Sequence, residues 1–298
     1  MMKKRNLLLG LSAVMSLAML TGCSSGTEES GESAAENGDG KIEIEFWHCM
    51  GASNGELIQE LTDAFNASQD KIVVKAVHQG SYTEASTKMQ AALSAQEAPV
   101  IAQMEIGSLG VFADSGQLVD LQKYVDAEEF DLDDFMPGLL DASYYDGKLI
   151  ALPHSRSLPV LYYNKDLFAQ AGIENPPETW DELKETAAAL TSDGVYGYSC
   201  PLDQWYYTSL VMNAGGKIYN EDETTIGFND GSGVAALNLW KDMIAAGTMN
   251  VPSGQDYNSS EACRNNFAAG TAAMIMQSSA QLKGLEETCD FEVGVGAI

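Results

Sequence analysis

Histidine and cysteine, the side chains that most often bind metals or act as nucleophiles, are few in this 298-residue sequence. The three histidines, His48, His78 and His154, are too scattered to suggest a metal cluster. The cysteines are Cys23, Cys49, Cys200, Cys263 and Cys289. They form no C-x-x-C pair, which argues against a zinc ribbon or a thioredoxin-type site. Phosphate-loop, zinc-protease, nucleophile-elbow and dinucleotide motifs are also absent, so we predict no cofactor and no metal.

Paired acids are the remaining catalytic candidates. Asp133-Asp134 and Glu286-Glu287 could supply the two carboxylates of a glycosidase. The chain, however, holds 43 Asp and Glu against 16 Lys and Arg, a net charge of −27. On so acidic a chain, solvated surface acids explain such pairs more simply. The same charge repels phosphate backbones, so nucleic acid is excluded as a partner.

Aromatic residues collect near predicted strand ends and loops. They are Trp47, Tyr82, Tyr162, Tyr163, Trp205, Tyr206 and Tyr207. Aromatic faces pack against the C–H faces of sugars, while acids and amides bind the hydroxyls, so this set is typical of a site for a polar solute. Core packing is the alternative for each ring, and it fits Tyr162 and Tyr163 at least as well. Trp205 follows Pro201 in a predicted loop and is the better ligand candidate, whereas Trp180 lies on a helix stripe and fits the core.

The first half of the chain alternates strand and helix, which positions the early candidates. Strands are predicted at 41–46, 72–77 and 100–106. Ser53 and Glu56 fit a capping box at the start of the first helix. Its predicted inward face is Leu57, Ile58, Leu61, Ala64 and Phe65, and that of the second helix is Ala85, Met89, Ala92 and Leu93. This β-α-β-α-β order predicts a mostly parallel sheet with helices on both faces.

A second strand and helix set begins near Leu149. Strands are predicted at 149–153, 159–163, 272–276 and 291–298. Thr179 and Glu182 fit a second capping box, for a helix whose buried stripe is Trp180, Leu183, Ala187 and Leu190. A longer helix at 233–246 is predicted to turn Val234, Leu237, Met243 and Ile244 inward. Because the chain ends within a predicted strand, we expect a truncated sequence.

The first forty residues predict an address and a tether. Residues 1–22 have a basic start and a short apolar run, as secretory signal peptides do. The L-T-G-C sequence that ends this run at Cys23 resembles a bacterial lipoprotein signal, which implies cleavage before Cys23 and its lipidation. A plain signal peptide or an uncleaved anchor helix is the alternative. Residues 23–40 have no large apolar side chain and several acids, so we expect a flexible acidic tether.

Several segments carry a family resemblance that covers nearly all of 41–298. The most characteristic are 159–168 (PVLYYNKDLF), 171–173 (AGI) and 177–183 (PETWDEL). Further echoes are 46–50 (FWHCM), 80–82 (GSY), 98–101 (APVI) and 104–107 (MEIG). With these segments the chain resembles the bacterial extracellular solute-binding proteins of sugar ABC transporters, and most closely the members that bind sn-glycerol 3-phosphate.

The resemblance implies an α/β fold of the type II periplasmic-binding-protein class, with two lobes joined by a hinge and a ligand cleft between them. We expect one lobe from 41–152 plus 271–298 and a second, incomplete lobe from 153–270. The hinge is expected between Ala151 and Arg156, with a return near Gly270. The two strand and helix sets, separated near Pro153, agree with two lobes on independent grounds.

Five positions match the family's ligand site. They are Tyr82, Glu105, Ser157, Trp205 and Ser278. Glu105 would accept bonds from ligand hydroxyls, and Trp205 would be one of two stacking tryptophans. The second tryptophan is replaced near Leu202, which leaves the ligand open between a glycerol phosphate and a small oligosaccharide. A phosphate normally needs an Arg or several N–H donors, and the nearby Arg156 fits a solvated surface residue better.

The resemblance implies a substrate-binding component of an ABC importer rather than an enzyme. Its expected partners are a carbohydrate or glycerol-phosphate ligand, the transmembrane permease and a lipid anchor. We expect a monomer on the outer face of the cytoplasmic membrane. A secreted carbohydrate hydrolase and the sensor subunit of a surface signalling system are the alternatives.

Overall fold

The computed structural model describes residues 35–36, 40–221 and 224–297. The predicted signal peptide, Cys23 and most of the predicted tether lie outside the described residues. None of the described helices is long and apolar enough to cross a membrane.

The first sheet is built around its second strand, which pairs with each of the other three. Its strands are β1 (Ala35–Glu36), β2 (Ile42–His48), β3 (Ile72–His78) and β4 (Ile101–Ala102). Strand β2 pairs in parallel with β3 and β4 and antiparallel with β1. The connecting helices are α1 (Ala52–Ser68) and α2 (Tyr82–Ala95). Since β2, β3 and β4 are parallel, the loops after all three lie at one edge of the sheet.

Short elements follow this sheet. They are α3 (Leu109–Ala113), α4 (Gln122–Ala127), α5 (Pro137–Leu140) and the hairpin of β5 (Tyr144–Tyr145) with β6 (Lys148–Leu149). The strands predicted at 100–106 and 149–153 are thus only two residues long, at 101–102 and 148–149. We call the part of the chain that carries β1 to β6 the first lobe.

The second sheet has five strands of mixed direction. They are β7 (Pro159–Asn164), β8 (Tyr198–Ser199), β9 (Met249–Asn250), β10 (Met274–Ser278) and β11 (Val293–Gly296). The order is β11-β7-β10-β8-β9. Strand β7 is antiparallel to β11 and β10, whereas β8 is parallel to β10 and β9. The helices are α6 (Lys165–Ala171), α7 (Trp180–Leu190), α8 (Gln204–Asn213), α9 (Ser232–Ala245), α10 (Asp256–Ala268) and α11 (Leu282–Thr288). We call this part the second lobe.

Strand pairing corrects the predicted place of the last segment. Residues 271–298 were expected to return to the first lobe after a crossing near Gly270. Instead, Met274 to Ser278 pair with Tyr163 to Pro159, and Val293 to Gly296 pair with the other edge of the same strand. The described part of this segment therefore belongs to the second sheet, because β7 is hydrogen-bonded on both sides by it.

Helix capping is confirmed at one predicted site and wrong at the other. Thr179 accepts from the Glu182 N–H at 3.2 Å, and the Glu182 carboxylate accepts from the Thr179 N–H, as the sequence predicts for α7. Helix α1, in contrast, begins at Ala52 after Gly51, so Ser53 lies inside the helix and caps nothing. A capping box stands instead at the N-terminus of α2, between Ser81 and Glu84.

The main core lies on the second sheet. Leu161 of β7, Leu183 and Ala187 of α7 and Met274 of β10 are fully buried within one cluster. Tyr162 is also fully buried, so for this ring core packing is the right interpretation. The stripe predicted for α7 is confirmed, with Trp180 partly buried against it.

Two predicted helix faces are confirmed only in part, because Ile58 of α1 and Met243 of α9 are buried as predicted but their other predicted members are not. In α1 the inward residues are Ile58 and Thr62. Leu57, Leu61, Ala64 and Phe65 are exposed. In α9 the buried apolar residues are Ala236, Leu239, Trp240 and Met243, while Val234, Leu237 and Ile244 are exposed.

Candidate functional site

All five predicted ligand residues lie at or just beyond strand ends. Tyr82 follows β3 as the first residue of α2, and Glu105 follows β4. Trp205 follows β8 as the second residue of α8. Ser278 is the last residue of β10, and Ser157 precedes β7. Since β7 is antiparallel to β10, Ser157 lies at the same edge as Ser278.

In the first lobe, a helix start fixes Tyr82. Ser81 accepts from the Glu84 N–H at 3.2 Å, and the Glu84 carboxylate accepts from the Ser81 N–H at 2.8 Å. Burial, with smaller contributions from the nearby Cys49 and Glu105, raises the pKa of Tyr82 to about 12. Tyr82 is therefore a neutral phenol that can donate to a ligand, beside the exposed acceptor Glu105.

Three hydrogen bonds hold the two serine positions together in the second lobe. The Ser279 N–H donates to the Leu158 carbonyl at 2.8 Å, and the Leu158 N–H donates to Ser279 Oγ at 3.2 Å. The Tyr162 hydroxyl donates to the Ser278 carbonyl at 2.9 Å. The first two bonds join the residue after Ser157 to the residue after Ser278, so both serines stand at one corner of the sheet.

Trp205 is in a helix rather than in the predicted loop. Asp203 caps α8 by accepting from the N–H groups of Trp205 and Tyr206 at 2.9 and 3.3 Å. The Trp205 ring packs edge-on against Tyr206, with centroids 5.1 Å apart, and against the second-lobe core. The side chain is half-buried, so one part of it packs on the core and the other part is accessible to a ligand.

A concavity of about 280 Å³ lies beside this helix start, beyond the ends of β8 and β9. Its lining is Leu202, Asp203, Val251, Pro252, Gly254, Gln255, Asp256 and Ser259. Burial raises the pKa of Asp203, the Asp256 carboxylate adds to the rise, and the bonds from the α8 N–H groups oppose it. Leu202, near which the second tryptophan is replaced, lines this concavity.

Sequence reasoning missed Tyr257, which connects the lobes. This second residue of α10 donates from its hydroxyl to the Cys49 carbonyl at 3.4 Å. Its ring also meets that of Tyr82 edge-on, with centroids 6.2 Å apart. The available signal was an aromatic residue at the start of a helix that follows a strand, the same context as Tyr82 and Trp205.

Nucleophile and metal chemistry find no support at these positions. Burial raises the pKa of Cys49 to about 11 and that of Cys263 to about 11, so both remain thiols at neutral pH. Burial also lowers the pKa of His48, and His78 nearby lowers it further. Among the described residues, no group of three or more His, Cys, Asp or Glu could hold a metal ion.

The acid pairs proposed for hydrolysis lie on the surface. Asp133, Asp134, Glu286 and Glu287 are all exposed. Arg156 is exposed as well. Their exposure agrees with the interpretation of these residues as solvated surface groups.

Two α/β lobes with aromatic and hydroxyl side chains at their strand ends define a two-lobed binding protein of the type II class. Residues 60–298 match the family model of bacterial extracellular solute-binding proteins, and the chain belongs to this family.

Relatives within the family bind sugars or glycerol phosphates by name. The sn-glycerol-3-phosphate-binding periplasmic protein UgpB of Pectobacterium atrosepticum is 30% identical over 270 residues, which are 85% of this chain and 59% of that protein. The ABC substrate-binding protein Lmo0181 of Listeria monocytogenes, solved with cycloalternan, matches with a TM-score of 0.75 and 26% identity over 86% of this chain and 66% of that one. UgpB of Mycobacterium tuberculosis, solved with glycerophosphocholine, matches with a TM-score of 0.73 and 25% identity over 86% of this chain and 65% of that one. The chain thus spans about three fifths to two thirds of these relatives' lengths.

Proposed function

We propose that this protein is the substrate-binding component of an ABC importer and not an enzyme. It captures a small polar solute between its lobes and delivers it to a membrane permease. The observation that carries the proposal is the arrangement of Tyr82 and Glu105 at strand ends of one lobe, with Tyr257 of the other lobe in contact with the first of them. A ligand in that place touches both lobes, which is what drives a hinge to close.

The proposed ligand is a glycerol-phosphate-like compound or a small oligosaccharide, held by Tyr82, Glu105, Ser157, Trp205 and Ser278. Glu105 offers acceptor oxygens for hydroxyl groups, and the aromatic rings offer apolar faces for C–H groups. The names of the relatives support both ligand types. The net charge of −27 disfavours anions at long range, but salt screens this field beyond roughly 8 Å, so serine and N–H donors could still hold one phosphate.

Calorimetry with sn-glycerol 3-phosphate, glycerophosphocholine and maltose tests the proposal. Trp205→Ala should weaken binding by about 1–2 kcal/mol through lost stacking and burial. Glu105→Gln should cost more if Glu105 accepts two hydroxyl bonds, since each charge-assisted bond contributes roughly 1.5–3 kcal/mol. Asp133→Asn, an exposed acid outside the site, is the control and should bind as the wild type does. If neither site variant weakens the binding of whichever probe the wild type binds, the proposed set of ligand residues is wrong.

Because Trp205 also packs on the core, its variant needs a folding control. Thermal unfolding of Trp205→Ala and Trp205→Phe separates lost stability from lost binding, since phenylalanine keeps an aromatic face. Weaker binding by the alanine variant but not by the phenylalanine variant, at equal folding, assigns the loss to stacking.

We also propose a hinge between Ala151 and Arg156, with the corrected second lobe formed by 153–297. Closure about this hinge should reduce the radius of gyration measured by small-angle scattering at saturating ligand. An unchanged scattering profile would argue against a closing cleft.

The proposed cellular setting is a monomer on the outer face of the cytoplasmic membrane. Its lipid anchor is Cys23, with 23–40 as the tether, and its protein partners are the transmembrane permease subunits. A buried methylene supplies roughly 0.8 kcal/mol, so two acyl chains suffice for stable anchoring without any spanning helix. Cys23→Ala should release the protein into the medium, and retention of this variant on cells would refute the anchor.

A further inference from the structure

Tyr257 stands apart from the inward face of its own helix. The buried residues of α10 are Ser259, Cys263 and Phe267, which recur every four positions, and the last two pack against Tyr162 and Ile275 of the second sheet. Tyr257 precedes Ser259 by two residues, about 200° around the helix axis, so it lies off that row. The side chain is 43% exposed and reaches the first lobe instead of its own core.

The contacts that Tyr257 makes there are of a kind that a ligand could share. Its ring meets Tyr82 edge-on, at 74° with centroids 6.2 Å apart, and both residues keep accessible surface, since Tyr257 is exposed and Tyr82 only partly buried. Its hydroxyl donates to the Cys49 carbonyl at 3.4 Å, which is long for an O–H···O bond. A ligand oxygen at ordinary distance would therefore be the better acceptor for this hydroxyl.

Charge and protonation around the two rings favour a neutral partner. Burial raises the pKa of both Tyr82 and Tyr257, and Glu105 contributes to each rise. Cys49 adds to both, and Asp256 adds to that of Tyr257. Both phenols are therefore neutral donors near carboxylates, and this surrounding charge opposes a phosphate or carboxylate group.

We propose that Tyr257 is a ligand-contacting residue supplied by the second lobe, and that with Tyr82 and Glu105 it forms a subsite for the neutral hydroxyl groups of a polyol or sugar. A hydroxyl both donates and accepts, so it can donate to Glu105 while it accepts from a phenol. The adjoining C–H groups pack against the two rings. Any anionic end of the ligand then binds away from this subsite. The inference rests on the proposed function.

Calorimetry on single variants tests the subsite with sn-glycerol 3-phosphate, glycerophosphocholine and maltose as probes. Tyr257→Phe removes only the hydroxyl and should raise Kd about 3- to 10-fold, the effect of one hydrogen bond. Tyr257→Ala also removes the ring and should raise Kd by about 30-fold or more. The matched control is Tyr196→Phe, because Tyr196 is 41% exposed but precedes β8 and so lies at the opposite edge of the second sheet.

The outcomes separate this inference from the proposed function. If the wild type binds a probe and Tyr82→Ala weakens it, while both Tyr257 variants bind as the wild type does, the inference is overturned and the proposed function stands. Tighter binding by Tyr257→Phe also overturns it, since the contact with Cys49 would then oppose the ligand. If the wild type binds none of the probes, the proposed function fails and the inference fails with it. Unchanged thermal unfolding of Tyr257→Phe excludes misfolding as the cause of weaker binding.

Discussion

Replacing Ser81 by alanine tests how the structure positions Tyr82. Ser81 is 7% exposed, and its hydroxyl accepts the Glu84 N–H at 3.2 Å just before the helix that begins with Tyr82. Ser81→Ala leaves that N–H without its acceptor, while the reciprocal bond from the Ser81 N–H to the Glu84 carboxylate at 2.8 Å remains. An N-cap serine replaced by alanine costs about 0.5–2 kcal/mol. Because one of the two bonds survives, we expect about 1 kcal/mol.

Two matched variants give this value its meaning. Thr179→Ala removes the same motif from α7 and should also cost about 1 kcal/mol. Ser53→Ala alters a serine that the sequence predicts to be a cap but that the structure places inside α1, exposed and capping nothing. We expect an effect within about 0.5 kcal/mol for that variant.

Urea unfolding followed by circular dichroism, with all variants at one pH, measures the three free energies. Equal losses for Ser53→Ala and Ser81→Ala would mean that Ser53 caps α1 and that the helix begins after it, against the structure. A neutral Ser81→Ala beside a costly Thr179→Ala would mean that the cap of α2 is absent in solution, and the derived position of Tyr82 would be refuted.

The same cap has a pH dependence with a defined sign. The bond from the Ser81 N–H holds the pKa of Glu84 below its ordinary value. A carboxyl whose pKa is lower in the folded state contributes stability above its unfolded pKa and loses that contribution as the pH falls. The stability difference between wild type and Glu84→Gln should therefore shrink below about pH 4.3. A difference that grows on acidification would contradict this bond.

Two further predictions concern packing and thiol reactivity. Gly197→Ala should destabilise the protein by about 2–3 kcal/mol, because its added Cβ would lie within 2.5 Å of Ala187 backbone atoms. Gly284→Ala lies inside a helix, where its Cβ meets nothing within 4 Å, and should stabilise the protein by about 0.5–1 kcal/mol. Thermal or urea unfolding compares the two variants, and equal effects would contradict the close approach at Gly197. Cys49 is buried and its pKa is raised to about 11, so it should resist iodoacetamide at pH 8 until the protein unfolds. The partly exposed Cys289 should react first in the native state. Mass spectrometry of peptides gives the order of labelling, and early labelling of Cys49 would show that its pocket opens.

Features carried by neighbouring residues were predictable from the sequence. The capping box of Thr179 and Glu182 and the buried stripe of α7 depend on residues three or four apart, so the local pattern contains all the partners. The alternation of strands and helices is local in the same sense. The ligand positions came from the family resemblance, and the structure adds that each lies at or just beyond a strand end.

The inward faces of α1 and α9 could not be chosen in this way. Both helices carry apolar residues on more than one side, and periodicity alone does not say which side meets a sheet. Ile58 and Trp240 are buried, while Leu61 and Leu237 are exposed. The choice depends on how each helix lies across its sheet, which is a tertiary property.

By itself the sequence determined the kind of many elements, because propensity, capping and periodicity act between neighbours in the chain, although it predicted a loop where α8 lies. Only the tertiary structure decided the partners, because strand hydrogen bonds and contacts across the site join residues far apart. The strand predicted at 272–276 fits either lobe by sequence, and the ladder of 274–278 with 159–163 places it in the second lobe. Tyr257 likewise reads as one more aromatic residue, until folding brings it to Cys49, 208 positions away, and makes it part of the site.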